Sequence, residues 1–281
     1  MKPAMRISVI IPVYNREHTI RRAVDSVLKQ SRPADEILVV DDGSTDGTPS
    51  VLADYGDKIC VVHQENKGVS AARNLGIRAS SGNWIALLDS DDEWLRDKLA
   101  LQESWLKANS SFRICQTQEI WIRRGRRVNP MKKHTKVHGD IFLPSLKRCL
   151  VSPSAVLFER RLFEETGGFD ESLPVCEDYD LWLRISLREP VGLLPEAGII
   201  KYGGHKDQLS RSLWGMDRFR VKALEKLLKD NPELSRDKKV AVLQELIHKL
   251  TVLYQGALKR KVNGNTWEKK LERYNFMLQQ L

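Results

Sequence analysis

Apolar runs of strand length alternate with helical stretches four times in the first 110 residues. The runs are Arg6 to Val13, Glu36 to Val40, Lys58 to His63 and Trp84 to Leu88. Helical spacing follows each of them, over 18–30, 47–55, 70–79 and 93–109. Continuous apolar strands joined through helices predict an α/β domain with a mostly parallel sheet buried on both faces. Ligands of such sheets bind beyond the carboxyl ends of the strands. Asp41, Asp42, Asp89 and Asp91 fall on that edge, together with Tyr14-Asn15 after the first strand.

Crowded carboxylates at strand ends are unfavourable unless a cation or a hydrogen-bonding ligand joins them. Asp89-Ser90-Asp91 sets two carboxylates on alternate positions, which face the same way in extended backbone. With a diphosphate they suit Mg²⁺ or Mn²⁺. Asp41-Asp42-Gly43-Ser44 can accept hydrogen bonds from a base or ribose. Ordinary Asx turns are the alternative for both stretches. A third acidic cluster, Cys176-Glu177-Asp178-Tyr179-Asp180, opens a predicted helix over 177–187. There Asp178 is either a general base for an acceptor hydroxyl or a complement to the helix dipole. Asp180 and Arg184 have the spacing of a local helix pair. His205 follows Gly203-Gly204 and is read as a metal or phosphate contact, or as a solvated histidine. Lys206 and Arg211 hold phosphate or face solvent.

The regular alternation stops near residue 110. Further strands are predicted at 112–122, 154–158 and 199–202, and residues 110–210 read as the half that receives a second substrate. Residues 213–281 are predicted all-helical. The longer tail from residue 201 to 281 carries 18 Lys/Arg against 9 Asp/Glu, which leaves 28 of each sign in residues 1–200. The basic excess therefore sits wholly in this tail. It marks either a surface for an anionic partner or a solvated helical face. No apolar run is long enough to cross a bilayer, and Ile7 to Val13 reads as a strand rather than a signal sequence. Four widely spaced cysteines argue against a structural zinc site or a disulfide framework, and point to a reducing cytoplasm.

These residues together closely resemble the family 2 glycosyltransferases, which have the GT-A fold. The resemblance rests on five blocks: Val9-Ile10-Ile11-Pro12-Val13-Tyr14-Asn15-Arg16-Glu17, Val39 to Thr48, Asn66 to Gly76, Leu88 to Trp94, and Gly167 to Arg184. It implies a Rossmann-like sheet flanked by helices, with a C-terminal helical appendage. Residues 1–110 would bind the nucleotide sugar, 111–212 the acceptor, and 213–281 would form the appendage. The implied reaction is inverting transfer from a nucleotide diphosphate sugar, most commonly UDP-linked, to a glycan or lipid-linked acceptor of the cell envelope. Pro12, Tyr14, Glu17, Asp41 and Asp42 would line the nucleotide pocket, and Arg73, Asp89 and Ser90 the ribose and sugar side. Asp91 and His205 would hold Mn²⁺ or Mg²⁺, and Asp178 would be the catalytic base. A cytoplasmic enzyme is expected, docked peripherally on an anionic membrane face if the basic tail serves that purpose. The helical tail could also pair with its own copy.

Two rivals are weaker. A sugar-phosphate nucleotidylyltransferase would want a glycine-rich loop after the first strand, where this chain has Tyr14-Asn15-Arg16-Glu17. A non-catalytic nucleotide-sugar binder would have lost the base or the acidic triplet, and both are present. Nucleic-acid binding is disfavoured because the aromatics of the tail sit mostly at core spacing.

Overall fold

The computed structural model of the chain describes residues 4–129, 131, 134–204 and 213–281. Four strands, β1 (Ile7–Val13), β2 (Glu36–Asp41), β3 (Cys60–His63) and β4 (Trp84–Leu87), form a parallel half-sheet in the order β3-β2-β1-β4. Beyond β4 the sheet becomes mixed. β8 (Val156–Glu159) runs antiparallel to β4, and β6 (Ile114–Arg123) antiparallel to β8. β9 (Gly192–Gly203) then lies parallel to β6 and carries the two-residue β5 (Glu93–Trp94) at its far edge. β7 (Arg126–Val128) closes a hairpin on β6.

Every residue of β1 is buried, as its mostly apolar sequence requires, and the one polar side chain, Ser8, donates to Glu36 Oε2 at 2.6 Å. Ile7, Val9, Ile11 and Val13 enter one core, with α1 (Ile20–Leu28) and α4 (Lys98–Ala108). Ile10 enters the opposite core, with α3 (Val69–Ala79), α6 (Arg160–Thr166) and α7 (Glu177–Ser186). The short α2 (Thr48–Ala53) follows β2, and α5 (Phe142–Lys147) precedes α6. In the basic tail, α8 (Asp217–Asp230), α9 (Arg236–Lys259) and α10 (Asn265–Gln279) form a third core with Phe142 of α5 and Tyr179 and Leu183 of α7. The tail thus packs directly behind the helix that carries Asp178. Among the described residues, no helix is long and apolar enough to cross a membrane.

Three local departures from the sequence reading have physical causes. The helix expected from residue 93 begins at Lys98, because Glu93 and Trp94 pair with Ile200 and Ile199 of β9. The strand expected at 199–202 extends back to Gly192, across Pro195 and Gly198, which mask a strand signal. The six- and seven-residue helices α5 and α6 are too short to produce a periodic pattern.

Lys98 is an unexpected member of the first core. It is 0% exposed, donates to Gln102 Oε1 at 2.8 Å, and stands 3.9 Å over the Trp94 ring. Burial lowers its pKa to about 7. The unfolded chain therefore binds more protons than the native one above that point, and stability rises with pH between about 7 and the ordinary lysine value. Lys98→Met is expected to stabilise the fold at pH 7 by roughly 1–4 kcal/mol. Thermal denaturation at pH 7 and pH 9 checks this, with the smaller gain expected at pH 9.

Candidate active site

Three loops at the carboxyl ends of β1, β2 and β3 are stitched together by side chains. Asn15 donates its N–H to Ser44 Oγ at 2.9 Å and accepts from the Thr45 N–H at 2.8 Å. Glu17 accepts from the Gly47 N–H at 2.7 Å. Asp42 accepts from Gln64 Nε2 at 2.6 Å, and from the backbone N–H of Lys67 and Gly68 at 2.8 Å each. Its carboxylate thereby shapes the turn that starts α3. Asp41 accepts from the Ser44 N–H at 3.0 Å and meets His63 Nδ1 at 3.2 Å. Gly43 has φ +76°, and a Cβ there would lie 2.9 Å from the Asn66 nitrogen, so this turn admits only glycine comfortably.

The acidic loop after β4 is braced from the other half of the sheet. Ser154 accepts from the Asp89 N–H at 3.1 Å and donates to Asp92 Oδ2 at 2.7 Å. Trp94 Nε1 donates to the Ser154 carbonyl at 2.8 Å. Asp92 also accepts from the Tyr202 N–H of β9 at 3.1 Å. Burial pushes the Asp92 carboxyl up to about 8, against the pull of Lys201 and with the help of Asp91 and Asp89. For Lys201 burial opposes the charge, but Glu119, Asp92, Asp89 and Asp178 outweigh it and raise its pKa.

Arg73, on α3, is 3% exposed and joins two chain segments. Nη2 meets Asp89 Oδ1 at 2.8 Å, and Nη1 meets Glu177 Oε1 at 2.7 Å. Burial and the neighbouring Asp178 push Glu177 up to about 7, although Arg73 pulls it down. Cys176, at the mouth of α7, has φ +63°, which turns the chain so that Glu177 and Asp178 start the helix.

A cavity of about 730 Å³ opens over these elements. Pro12, Tyr14, Asp42, Arg73, Asp89, Ser90, Asp91 and Asp178 all line it. Glu17 and Asp41 are absent from the lining and hold the loops behind it. His205, Lys206 and Arg211 lie outside the described residues. Among the described residues, no group of three or more His, Cys, Asp and Glu side chains is arranged to hold a metal ion.

The lining also includes Arg16, Lys201, Tyr202 and Met216, which sequence reasoning did not single out. For Lys201 the available signal was a charge inside the apolar run Ile199-Ile200-Lys201-Tyr202. Its acidic neighbours are too distant in sequence to suggest the pairing.

The profile described as "Glycosyl transferase family 2" matches residues 8–167, more than half of the chain. The chain belongs to this family. Its sheet is that of the GT-A enzymes. An uncharacterized glycosyltransferase of Rickettsia prowazekii (strain Madrid E) is 36% identical over 183 residues, which cover 63% of this chain and 58% of that protein. The chain thus spans little more than half the length of that relative. UDP-Glc:alpha-D-GlcNAc-diphosphoundecaprenol beta-1,3-glucosyltransferase WfgD of Escherichia coli is 36% identical over 185 residues, covering 64% of this chain and 69% of the relative. Among solved structures, residues 1–349 of S. aureus TarS in complex with UDP-GlcNAc superpose with a TM-score of 0.75 at 21% identity, covering 92% of this chain and 76% of the other. That likeness is one of fold.

Proposed function

We propose that the protein transfers a sugar, with inversion, from a UDP-linked donor to a hydroxyl of a glycan or lipid-linked acceptor of the cell envelope. One observation carries the reading: Asp178, from α7, borders the same cavity as Asp42, Asp89 and Asp91 from the parallel half-sheet. Donor and acceptor can therefore meet over a fixed carboxylate. In this reading residues 1–110 serve the donor and 111–212 the acceptor, while α8 to α10 buttress α7 from behind.

Pro12 and Tyr14 flank the nucleotide, and Asp42, already holding the Gln64–Gly68 turn, offers it a rigid acidic edge. Arg73 acts by fixing Asp89 and Glu177 in place. Asp178 takes the proton of the acceptor hydroxyl as its oxygen bonds to the anomeric carbon, and the bond to the nucleoside diphosphate breaks on the opposite side. One displacement inverts the centre without a covalent enzyme intermediate. Asp91 lines the cavity in the acidic loop after β4 and is the carboxylate that the family resemblance assigns to a cation. Mg²⁺ is commonly held by one or two carboxylates together with substrate phosphates, a pattern that suits Asp91, and the family resemblance adds His205 as a further ligand. Such an ion, when bound, supplies positive charge to the departing diphosphate.

The test is a donor screen by nucleotide release, with Mn²⁺ or Mg²⁺ and an EDTA control, followed by anomeric assignment of the product by NMR. A UDP-sugar is expected to be turned over, with at least a tenfold loss on chelation, consistent with several kcal/mol of charge stabilisation by the metal. Retention of anomeric configuration would exclude the single-displacement mechanism.

A further inference from the structure

The β6–β7 hairpin is a surface that the sugar-transfer chemistry above leaves unused. Its turn is Arg124-Gly125, with φ +49° and +73°. Two-residue turns of this hand favour Asn-Gly, so a long cationic side chain at the first position is an uncommon choice. Arg123 and Arg126 are directly paired across the strands, and Arg127 pairs with Ile122. Like charges directly opposite on a sheet repel. All four guanidinium groups are exposed, and none has a carboxylate partner among the described residues. The nearby Glu119 is already held by Lys136 Nζ at 2.6 Å. Trp121 shares the face of Arg123 and Arg126, with the Arg123 guanidinium 5.4 Å from the ring centroid.

This hairpin is paired with the strand that borders the catalytic cavity. Ile122 is in register with Tyr202, which lines the cavity, and Arg123 with Gly203. A repelling arginine pair at that point calls for an anion to bridge it. Arginine offers a planar fork that matches phosphate oxygens in pairs, whereas lysine would offer only a point charge. The aromatic platform beside it suits a sugar face or a lipid stem.

We propose that Arg123 and Arg126 form an acceptor-side anion site, gripping the phosphate or diphosphate of a phosphate-bearing acceptor while its hydroxyl reaches Asp178. The inference rests on the sugar-transfer reading and specifies the acceptor's chemical class. The hairpin projects at the edge of the sheet, so its arginines can be replaced without touching the three cores.

Calorimetric titration of the full chain with inorganic pyrophosphate, with magnesium in excess and UDP saturating, tests it. Wild type is expected to bind pyrophosphate without displacing UDP. Arg123→Ala combined with Arg126→Ala should weaken pyrophosphate binding at least tenfold and leave UDP affinity unchanged. The Arg123→Gln, Arg126→Gln pair provides the same comparison should the alanine variant lose its native circular dichroism. Unchanged pyrophosphate affinity in the folded variant overturns the proposal, and so does competition between pyrophosphate and UDP. A parallel arm uses phosphatidylglycerol vesicles. Loss of vesicle binding with pyrophosphate binding intact would make the hairpin a membrane contact and overturn the acceptor assignment. Failure of wild type to bind UDP counts against the nucleotide-sugar reading alone, because the pyrophosphate comparison still judges the hairpin.

Discussion

Asp178→Asn is expected to cut sugar transfer by roughly 10²- to 10⁴-fold while leaving UDP affinity within about twofold of wild type. The substitution preserves size and keeps an oxygen to accept from the Tyr179 N–H, a contact of 2.7 Å in the native protein. What it removes is the group able to take a proton from an incoming hydroxyl. A carboxylate in the first turn of a helix can also act only on the dipole, typically worth 0.3–1 kcal/mol of stability. The two roles separate cleanly by experiment. A dipole role predicts a small drop in melting temperature and full turnover, whereas a base role predicts near-native melting and lost transfer. Nucleotide release with acceptor present, set beside calorimetric UDP binding, reads both. Full activity in Asp178→Asn would remove this residue from the chemistry.

The contrast between legible and hidden features follows from the range of the interactions involved. β1, β2 and β4 could be read because a strand buried on both faces is apolar at nearly every position, as Ile7 to Val13 is apart from Ser8. The position of Asp42 and of the Asp89–Asp92 loop on one rim then followed from parallel topology alone. Side-chain direction at that rim did not. Asp41 and Asp42 are adjacent, yet Asp42 borders the cavity and Asp41 turns to Ser44 and His63. Glu17 similarly turns to the Gly47 N–H. Alternation along a strand gives no guide once the backbone leaves the strand. The pairing of Arg73 with Glu177 spans 104 residues, and no local pattern encodes it. The short β5 was hidden for the same reason, since its strand character comes from its partner Ile199-Ile200 and not from its own two residues.

That long-range pair leads to the second large effect. Arg73→Met is expected to destabilise the fold by about 3–5 kcal/mol, the usual consequence of removing one partner from a buried charge cluster. Arg73 and Glu177 are 3% and 4% exposed, so water cannot replace the lost guanidinium. Methionine fills much of the same space and keeps contact with Phe169, whose ring centroid lies 5.1 Å from the Arg73 guanidinium carbon. The loss is therefore electrostatic rather than a cavity effect. Burial first, and then Asp178, already push Glu177 up to about 7 with Arg73 present, and without Arg73 it moves higher. A carboxyl raised in the native state binds a proton that the unfolded chain releases at lower pH. Its contribution is fully present below the unfolded value and is lost as pH rises through the native one. The deficit of Arg73→Met should accordingly be smaller at pH 6 than at pH 8. Adding Glu177→Gln should recover much of it, because the buried charge that lacked a partner is then gone. Urea unfolding of the wild type, the single variant and the double variant at both pH values measures each term. A deficit that is independent of pH and untouched by Glu177→Gln would mean that Arg73 acts through packing, and that the two halves of the active site are held together by something other than this ion pair.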